Sequence, residues 1–86
     1  MVENFLNNLK FEKRYSVHTI TAYRTDLLQF THFLNNSYDE LPIEKASYHH
    51  IRTYKAQLLD EEVTPRSVQR KLITLRSFYK FLMQEN

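Results

Sequence analysis

Residues 64–83 read TPRSVQRKLITLRSFYKFLM and predict one long helix with two different faces. Thr64 is a suitable N-cap, and Pro65 fits the first helical position, where its missing N–H costs nothing. Apolar residues recur at alternating steps of four and three and therefore form one stripe. This stripe consists of Val68, Leu72, Leu75, Tyr79 and Leu82. We expect the helix to pack on the core through it.

The same stretch carries much of the positive charge of the chain. It holds five of the 12 Lys and Arg residues and none of the 10 Asp and Glu residues. The net charge of +2 therefore depends on this segment, because the remainder of the chain is net negative. A helix with an apolar back and a cationic front is typical of a module that docks onto a polyanion, and equally typical of a solvated bundle helix.

The composition predicts one small helical domain at residues 1–86. Hydrophobic residues make up 42% of the chain and charged residues 26%, which suits a globular unit and argues against disorder. The chain has no Gly and only two Pro residues, so we expect helices joined by short polar loops. Without Cys it can form neither disulfides nor thiolate metal sites. We find no membrane-spanning run and no signal-peptide pattern, so we expect no membrane partner and a cytoplasmic location.

Three further helical patterns precede the long helix. We predict helices near residues 2–13, 17–35, 48–61 and 65–84. The second is the clearest, because its apolar residues alternate by three and four over its whole length and Ser16 suits its N-cap. Residues 36–46 are rich in Asn, Ser, Asp and Pro and predict a loop within one domain. The side chains expected to be most buried include Leu27, Phe30, Leu72, Leu75 and Tyr79.

Patterns for catalysis or metal binding are scarce. His49 and His50 are adjacent and so cannot chelate one ion together on a helix, and neither an H-E-x-x-H motif nor a Cys/His spacing occurs. The three acids at residues 60–62 oppose the dipole of the third helix, and we interpret them as a solubilising start to a loop. Several of the six Tyr residues lie on apolar stripes, where core packing is their ordinary role. We therefore expect no metal, no cofactor and no catalytic residue.

Two segments carry a more specific pattern. Residues 5–34 contain Ser-x-x-Thr, then Tyr-Arg-x-Asp-Leu and an aromatic residue, which are Ser16, Thr19, Tyr23, Arg24, Asp26, Leu27 and Phe30. Residues 64–82 contribute Ser67, Leu72, Leu75, Arg76, Ser77, Phe78, Tyr79, Phe81 and Leu82. Together the segments resemble the N-terminal core-binding domain of tyrosine recombinases of the phage-integrase type, and the Xer-like branch most closely.

The resemblance implies both a fold and a function. Domains of this family are all-α, four-helix SAM-like bundles that form half of a C-shaped clamp around double-stranded DNA at a recombination half-site. Their second and fourth helices face the major groove. A C-terminal catalytic domain supplies the Tyr nucleophile, and the protomers assemble as a tetrameric synapse on DNA. We therefore expect this chain to lack the catalytic domain, and we assign no Tyr here as a nucleophile.

The candidate DNA contacts combine the cationic face with the resemblance. The phosphate candidates on the last helix are Arg66, Arg70 and Lys80. The candidates for hydrogen bonds to phosphates or base edges are Ser67, Gln69 and Thr74. The second helix adds His18, Thr19, Thr21, Arg24 and Thr25. For Thr19, completion of the helix N-terminus is an alternative role, and Lys71 and Arg76 border the apolar stripe, where long cationic side chains also lie along the core.

Two other classes of function remain open. A helical protein–protein module would expose an apolar patch, and Ile73, Phe78 and Phe81 lie off the main stripe of their helix. In the recombinase interpretation these residues pack on flanking helices or on a neighbouring protomer. A small enzyme is the least favoured class, because no activated constellation is visible. Salt-dependent DNA binding would distinguish the recombinase domain from both rivals.

Overall fold

The computed structural model describes residues 1–85. Helix α1 spans Val2–Phe11, α2 spans Val17–Ser37, α3 spans Tyr48–Asp60 and α4 spans Pro65–Glu85. A short 3-10 helix at Ile43–Lys45 interrupts the connection between α2 and α3. The described residues contain no strand, so the predicted all-α fold of four helices is confirmed. The predicted helix boundaries agree with the structure to within two residues.

Polar side chains define where α2 and α4 begin. The Ser16 hydroxyl accepts a hydrogen bond from the backbone N–H of Thr19 at 3.2 Å, which caps α2. At α4 the backbone N–H of Ser67 donates to the Thr64 hydroxyl at 3.3 Å. Both predicted N-caps are therefore confirmed.

Each of the first three helices is followed, within three residues, by a residue with a left-handed backbone conformation. Arg14 follows α1 with φ 55°, Asp39 follows α2 with φ 54°, and Glu62 follows α3 with φ 64°. Glycine is the usual residue in this conformation because it has no Cβ, but this chain has no Gly. After α1, the reversal lets the backbone N–H of Tyr15 donate to the Leu9 carbonyl at 3.0 Å. The predicted extension of α1 to residue 13 is accordingly two residues too long.

The core lies where α4 packs against the other three helices. Its buried residues are Phe5, Leu6, Leu9, Leu27, Phe30, Phe33, Leu34, Ile43, Tyr54, Leu58, Val68, Leu75, Phe78 and Leu82. Aromatic rings join the layers: Phe78 meets Phe5 edge-on with 5.5 Å between ring centroids, and Phe30 lies 5.0 Å from Tyr54. Such arrangements are the preferred geometry for aromatic pairs.

Two of the residues expected in the centre of the core lie at its margin. Leu27, Phe30 and Leu75 are buried as predicted, but Leu72 and Tyr79 are only partly buried. Phe78, which lies off the predicted stripe, is fully buried instead. The reason is that Phe78 packs on Phe5 of α1, whereas Leu72 and Tyr79 lie on the side of α4 that borders a groove beside α3.

Candidate nucleic-acid interface

A buried carboxylate joins α2 to α4. Asp26 is 1% exposed and accepts hydrogen bonds from Arg70 Nη2 at 3.0 Å, Lys71 Nζ at 3.2 Å and Thr74 Oγ1 at 2.9 Å. Lys71 also donates to the side-chain oxygen of Gln29. Because the carboxylate has several donors and two adjacent cations, its burial is compensated. These ion pairs therefore connect α2 and α4, the two helices that are expected from the resemblance to contact DNA.

Arg70 links this buried network to the surface. Its side chain remains 55% exposed although one of its nitrogens is bound to Asp26. A guanidinium group has five N–H donors in a rigid plane, so donors remain for an anion in solvent. Asp26 therefore holds Arg70 in one orientation and removes part of the conformational freedom that binding would otherwise have to remove.

Arg70 has polar neighbours on the first turns of α4. Arg66 and Gln69 are exposed, and Ser67 is partly buried. The Ser67 hydroxyl accepts a hydrogen bond from the Thr64 hydroxyl at 3.1 Å, so Ser67 already takes part in the helix cap. These residues lie on the first two turns of the helix, where the helix dipole favours an anion. Arg66 and Arg70 therefore place two exposed cations at the start of α4.

The N-terminal half of α2 contributes small polar groups. His18, Thr21 and Thr25 are exposed, and their spacing of three and four places them on one helical face. Thr19 is partly buried, and its hydroxyl lies 3.0 Å from that of Ser16. Thr19 therefore completes the helix N-terminus, which is the alternative role considered from the sequence. We use the name α2–α4 seam for the exposed candidates on the two helices, which are His18, Thr21, Thr25, Arg66, Gln69 and Arg70. Asp26, next to Thr25, contacts Arg70, whereas Tyr23 and Phe81 both pack on Phe5, so His18 and Thr21 lie toward the opposite end of α4 from Arg66.

Three of the sequence-derived candidates lie away from the seam or inside it. Thr74 is 1% exposed and donates to Asp26, so its hydroxyl faces the interior and its assignment as a surface contact is corrected. Arg24 is paired with Glu3 on α1 through two contacts of 2.5 and 3.2 Å. Lys80 lines a groove between α3 and α4. Thr74 thus differs from Arg70 by its burial, Arg24 by its ion pair with Glu3, and Lys80 by its position in the groove.

The two cations that bordered the apolar stripe have different positions. Lys71 is only 8% exposed and lies along the core with its ammonium group on Asp26 and Gln29. Arg76 is exposed and lines the groove beside α3. The charge pattern of the sequence does not show that Lys71 is buried and Arg76 is exposed. That difference depends on which neighbouring helix each side chain contacts.

Asp26 and Gln29 are the functional candidates that the sequence did not identify. Asp26 was visible as part of the Tyr-Arg-x-Asp-Leu pattern, but its role as an anchor was not. A signal for it existed, because an acid beside the apolar stripe of α2 needs a buried cationic partner. The residue types alone do not say which cation on α4 would supply it.

Burial keeps three of the Tyr hydroxyl groups protonated. Burial raises the pKa of Tyr54 to about 12, and burial also raises the pKa values of Tyr79 and Tyr23 above the ordinary phenolic value. Tyr79 donates to the Ile43 carbonyl at 2.6 Å, which further holds its proton. In residues 1–85 no three His, Asp or Glu side chains converge as metal ligands. Among the helices described, none has the length and apolar character needed to cross a bilayer.

One described protein family matches almost the whole chain. Residues 2–86 match the family described as phage integrase, N-terminal SAM-like domain. The chain is 40% identical over 84 residues to the tyrosine recombinase XerC of Listeria monocytogenes serotype 4a (strain HCC23), with 98% of the chain and 28% of that protein covered.

A second similar protein has the same name. The chain is 40% identical over 81 residues to the tyrosine recombinase XerC of Staphylococcus aureus (strain JH9), with 94% of the chain and 26% of that protein covered. The chain therefore spans about a quarter of the length of the curated relatives that it matches. No solved structure matches it.

Proposed function

This chain belongs to the phage integrase N-terminal SAM-like domain family, and we propose that it is the DNA-gripping domain of a site-specific tyrosine recombinase. The observation that carries the proposal is the orientation of Arg70 at the α2–α4 seam by the buried carboxylate of Asp26. The seam combines cations for phosphates with hydroxyl, amide and imidazole groups for hydrogen bonds. These are the groups that proteins use to contact the DNA backbone and base edges.

The proposed contacts divide into two kinds. Arg66 and Arg70 bind phosphates, because both are exposed cations on the first turns of α4. Gln69 on α4, with His18, Thr21 and Thr25 on α2, supplies hydrogen bonds to phosphates or base edges. Thr19 and Ser67 act mainly by shaping the N-termini of their helices, since their hydroxyls are engaged in capping.

Arg24 and Lys80 are secondary candidates. To bind a phosphate, Arg24 would have to break its ion pair with Glu3. The loss of that ion pair offsets much of the free energy gained from the phosphate contact. Lys80 is exposed but lies toward α3, beyond the seam. We therefore assign DNA binding to the N-terminal half of α4 and to the exposed face of the N-terminal half of α2.

The rest of the recombinase cycle is assigned to other parts of the parent protein. We propose that this domain forms half of a clamp on double-stranded DNA, that strand cutting occurs in a separate catalytic domain, and that other protomers complete a tetrameric synapse. A protein that acts on chromosomal or phage DNA in a bacterium works in the cytoplasm. The names of the relatives and the pairing of α2 with α4 support this proposal.

Fluorescence anisotropy with a short labelled duplex tests the seam across a salt series. We expect non-specific dissociation constants on the order of 10⁻⁴ to 10⁻⁶ M at physiological salt. Arg66→Ala and Arg70→Ala should each weaken binding on every sequence. Each should also flatten the plot of log affinity against log salt by about 0.9, because one phosphate contact and its released counterion are lost.

Two exposed lysines outside the seam serve as controls. Lys45→Ala and Lys55→Ala remove the same charge from the 3-10 helix and from α3, and they should leave the slope nearly unchanged. Gln69→Ala should act on some sequences more than on others if its amide contacts a base edge. Equal losses from the control and seam variants would mean diffuse electrostatic binding and would refute the proposed interface.

A further inference from the structure

A groove runs between the N-terminal half of α3 and the C-terminal half of α4. Its volume is about 910 Å³. The apolar residues that line it include Tyr48, Ile51, Leu72, Tyr79, Leu82 and Met83. Two of them are unusually open, because Tyr48 is 74% exposed and Met83 is 79% exposed. This is the exposed apolar surface that a protein–protein module would need, and it lies on the α3 side of α4, away from the α2–α4 seam.

Cations flank this apolar floor on both sides. Arg52 and Lys55 lie three residues apart on α3, and Arg76 and Lys80 lie four residues apart on α4. Such spacings place each pair about one helical turn apart on one face. Two cationic rows therefore follow the two helices that form the walls of the groove. Glu44 is the single acid among its lining residues.

The charges of these rows are not neutralised within the described side chains. The ion pairs found there involve Arg24, Arg70 and Lys71, and none involves a cation of the groove. The guanidinium carbon of Arg52 lies over the Tyr48 ring, 5.8 Å from its centre, and Arg52 is exposed. The groove is thus a strip of apolar surface between two rows of available positive charge.

We propose that this groove binds an acidic amphipathic helix of a partner protein. A helix in a groove buries a stripe of apolar residues on the floor and presents its flanks to the two walls. Glu or Asp side chains on both flanks would meet Arg52 and Lys55 on one side, and Arg76 and Lys80 on the other. Charge complementarity of this kind sets orientation and partner choice more than it sets affinity.

The same features disfavour other occupants. A DNA backbone would satisfy the cations, but it would cover the apolar floor with phosphates and gain nothing from Tyr48 and Met83. A second copy of this chain offers clustered acids at residues 60–62, which form one patch at the end of α3 and not two rows along a helix. Because the groove and the seam use different sides of α4, a docked helix leaves the seam open for DNA.

Titration with a designed peptide tests the groove directly. The probe is a fluorescein-labelled, helix-forming peptide of about 16 residues, with Leu along one stripe and Glu on both flanks. Its control is a peptide of identical composition with the sequence scrambled. Anisotropy gives the affinity, and amide chemical shifts of the labelled protein map the binding surface. We expect the designed peptide to bind and to shift the amides of residues 48–55 and 72–83.

Charge reversal supplies matched variants. Arg52→Glu with Lys55→Glu should weaken peptide binding by at least about tenfold, because two favourable charge pairs become repulsive. Lys10→Glu with Lys13→Glu makes the same change in net charge on exposed positions at the end of α1, and it should change affinity by less than about twofold. Tyr48→Ser with Met83→Ser removes exposed apolar area from the floor and should also weaken binding by about tenfold. Thermal melts establish that each variant folds.

Four results would overturn the proposal. The first is equal binding of the scrambled peptide, and the second is a set of shifted amides outside the groove. The third is a short DNA duplex that displaces the peptide and shifts the same amides, which would make the groove a polyanion site. The fourth is self-association in sedimentation that the Arg52→Glu, Lys55→Glu variant abolishes, which would make a second copy the occupant. The seam variants Arg66→Ala and Arg70→Ala should leave peptide binding unchanged, so this test is independent of the proposed DNA grip.

Discussion

Asp26 shows how one residue connects stability to the proposed surface. Its carboxylate is buried between α2 and α4, and three donors from α4 converge on it. One of these donors belongs to Lys71, whose ammonium group would lie almost buried without a counter-charge if the carboxylate were removed. A second belongs to Arg70, which extends to the surface. The same interaction therefore ties the helices together and orients a candidate phosphate contact.

Asp26→Ala should destabilise the fold by about 3–5 kcal/mol, the usual effect of leaving a buried charge without its partner. The Arg24–Glu3 pair provides a matched comparison, because its side chains are 45% and 65% exposed. Arg24→Ala should cost only about 0–1 kcal/mol, as solvent screens exposed pairs. Urea unfolding of both variants measures the difference. Similar losses for the two variants would contradict the role given to burial here.

At the scale of elements, α4 organises the molecule. It packs against α1, α2 and α3. Leu75 and Phe78 face the centre, Asp26 meets the Arg70 and Lys71 side, and Leu72 with Tyr79 borders the groove beside α3. A helix with three neighbours buries residues on more than one side. The residues that form the periodic apolar stripe of α4 are therefore not all the residues that are most buried.

Leu75→Ala should therefore destabilise the protein by about 2–5 kcal/mol, because a buried side chain is lost and the surrounding bundle relaxes only in part. Ile73 on the same helix is 44% exposed and is a suitable control. Ile73→Ala should change stability by about 0.5 kcal/mol or less, as surface substitutions usually do. Thermal or urea unfolding provides the measurement. A small effect at Leu75 would place the core elsewhere.

At the scale of the whole molecule, the two proposed binding surfaces lie on different sides of α4. The proposed DNA-binding seam with α2 presents Arg66, Arg70 and small polar groups, which are the groups that contact DNA in proteins. The groove with α3 presents an apolar floor between cations, which suits a helix. The net charge of only +2 conceals this arrangement, since acids elsewhere balance much of the positive charge.

We expect the 86-residue chain to form no covalent bond with DNA. Attack on a phosphodiester by Tyr requires an ionised or activated hydroxyl. Burial shifts the pKa values of Tyr23, Tyr54 and Tyr79 upward, away from ionisation at neutral pH. Denaturing gels of the chain incubated with labelled duplex should show no adduct. An adduct that disappears in any one Tyr→Phe variant would identify a nucleophile and refute this prediction.

Local patterns of residues were sufficient to predict the helices and their approximate limits. These patterns depend only on residues that are close together in the sequence. They are the N-caps at Ser16 and Thr64, the loop near residue 40 and the alternating apolar steps. The family could be recognised for the same reason, because its motifs lie along single helices. Leu27, Phe30 and Leu75 were also predicted correctly, since they lie at the centre of strongly apolar faces.

What the sequence by itself determined is therefore the four helices, their caps and the cationic character of α4. Only the tertiary structure decided that Thr74 is buried, that Arg24 pairs with Glu3, and that Phe78 displaces Leu72 from the centre of the core. Helical periodicity depends on neighbours a few residues apart, whereas these outcomes depend on contacts between residues 21 to 48 positions apart or between whole helices. A single helix contains no information about which partner its edges will meet, because that follows from how all four helices pack.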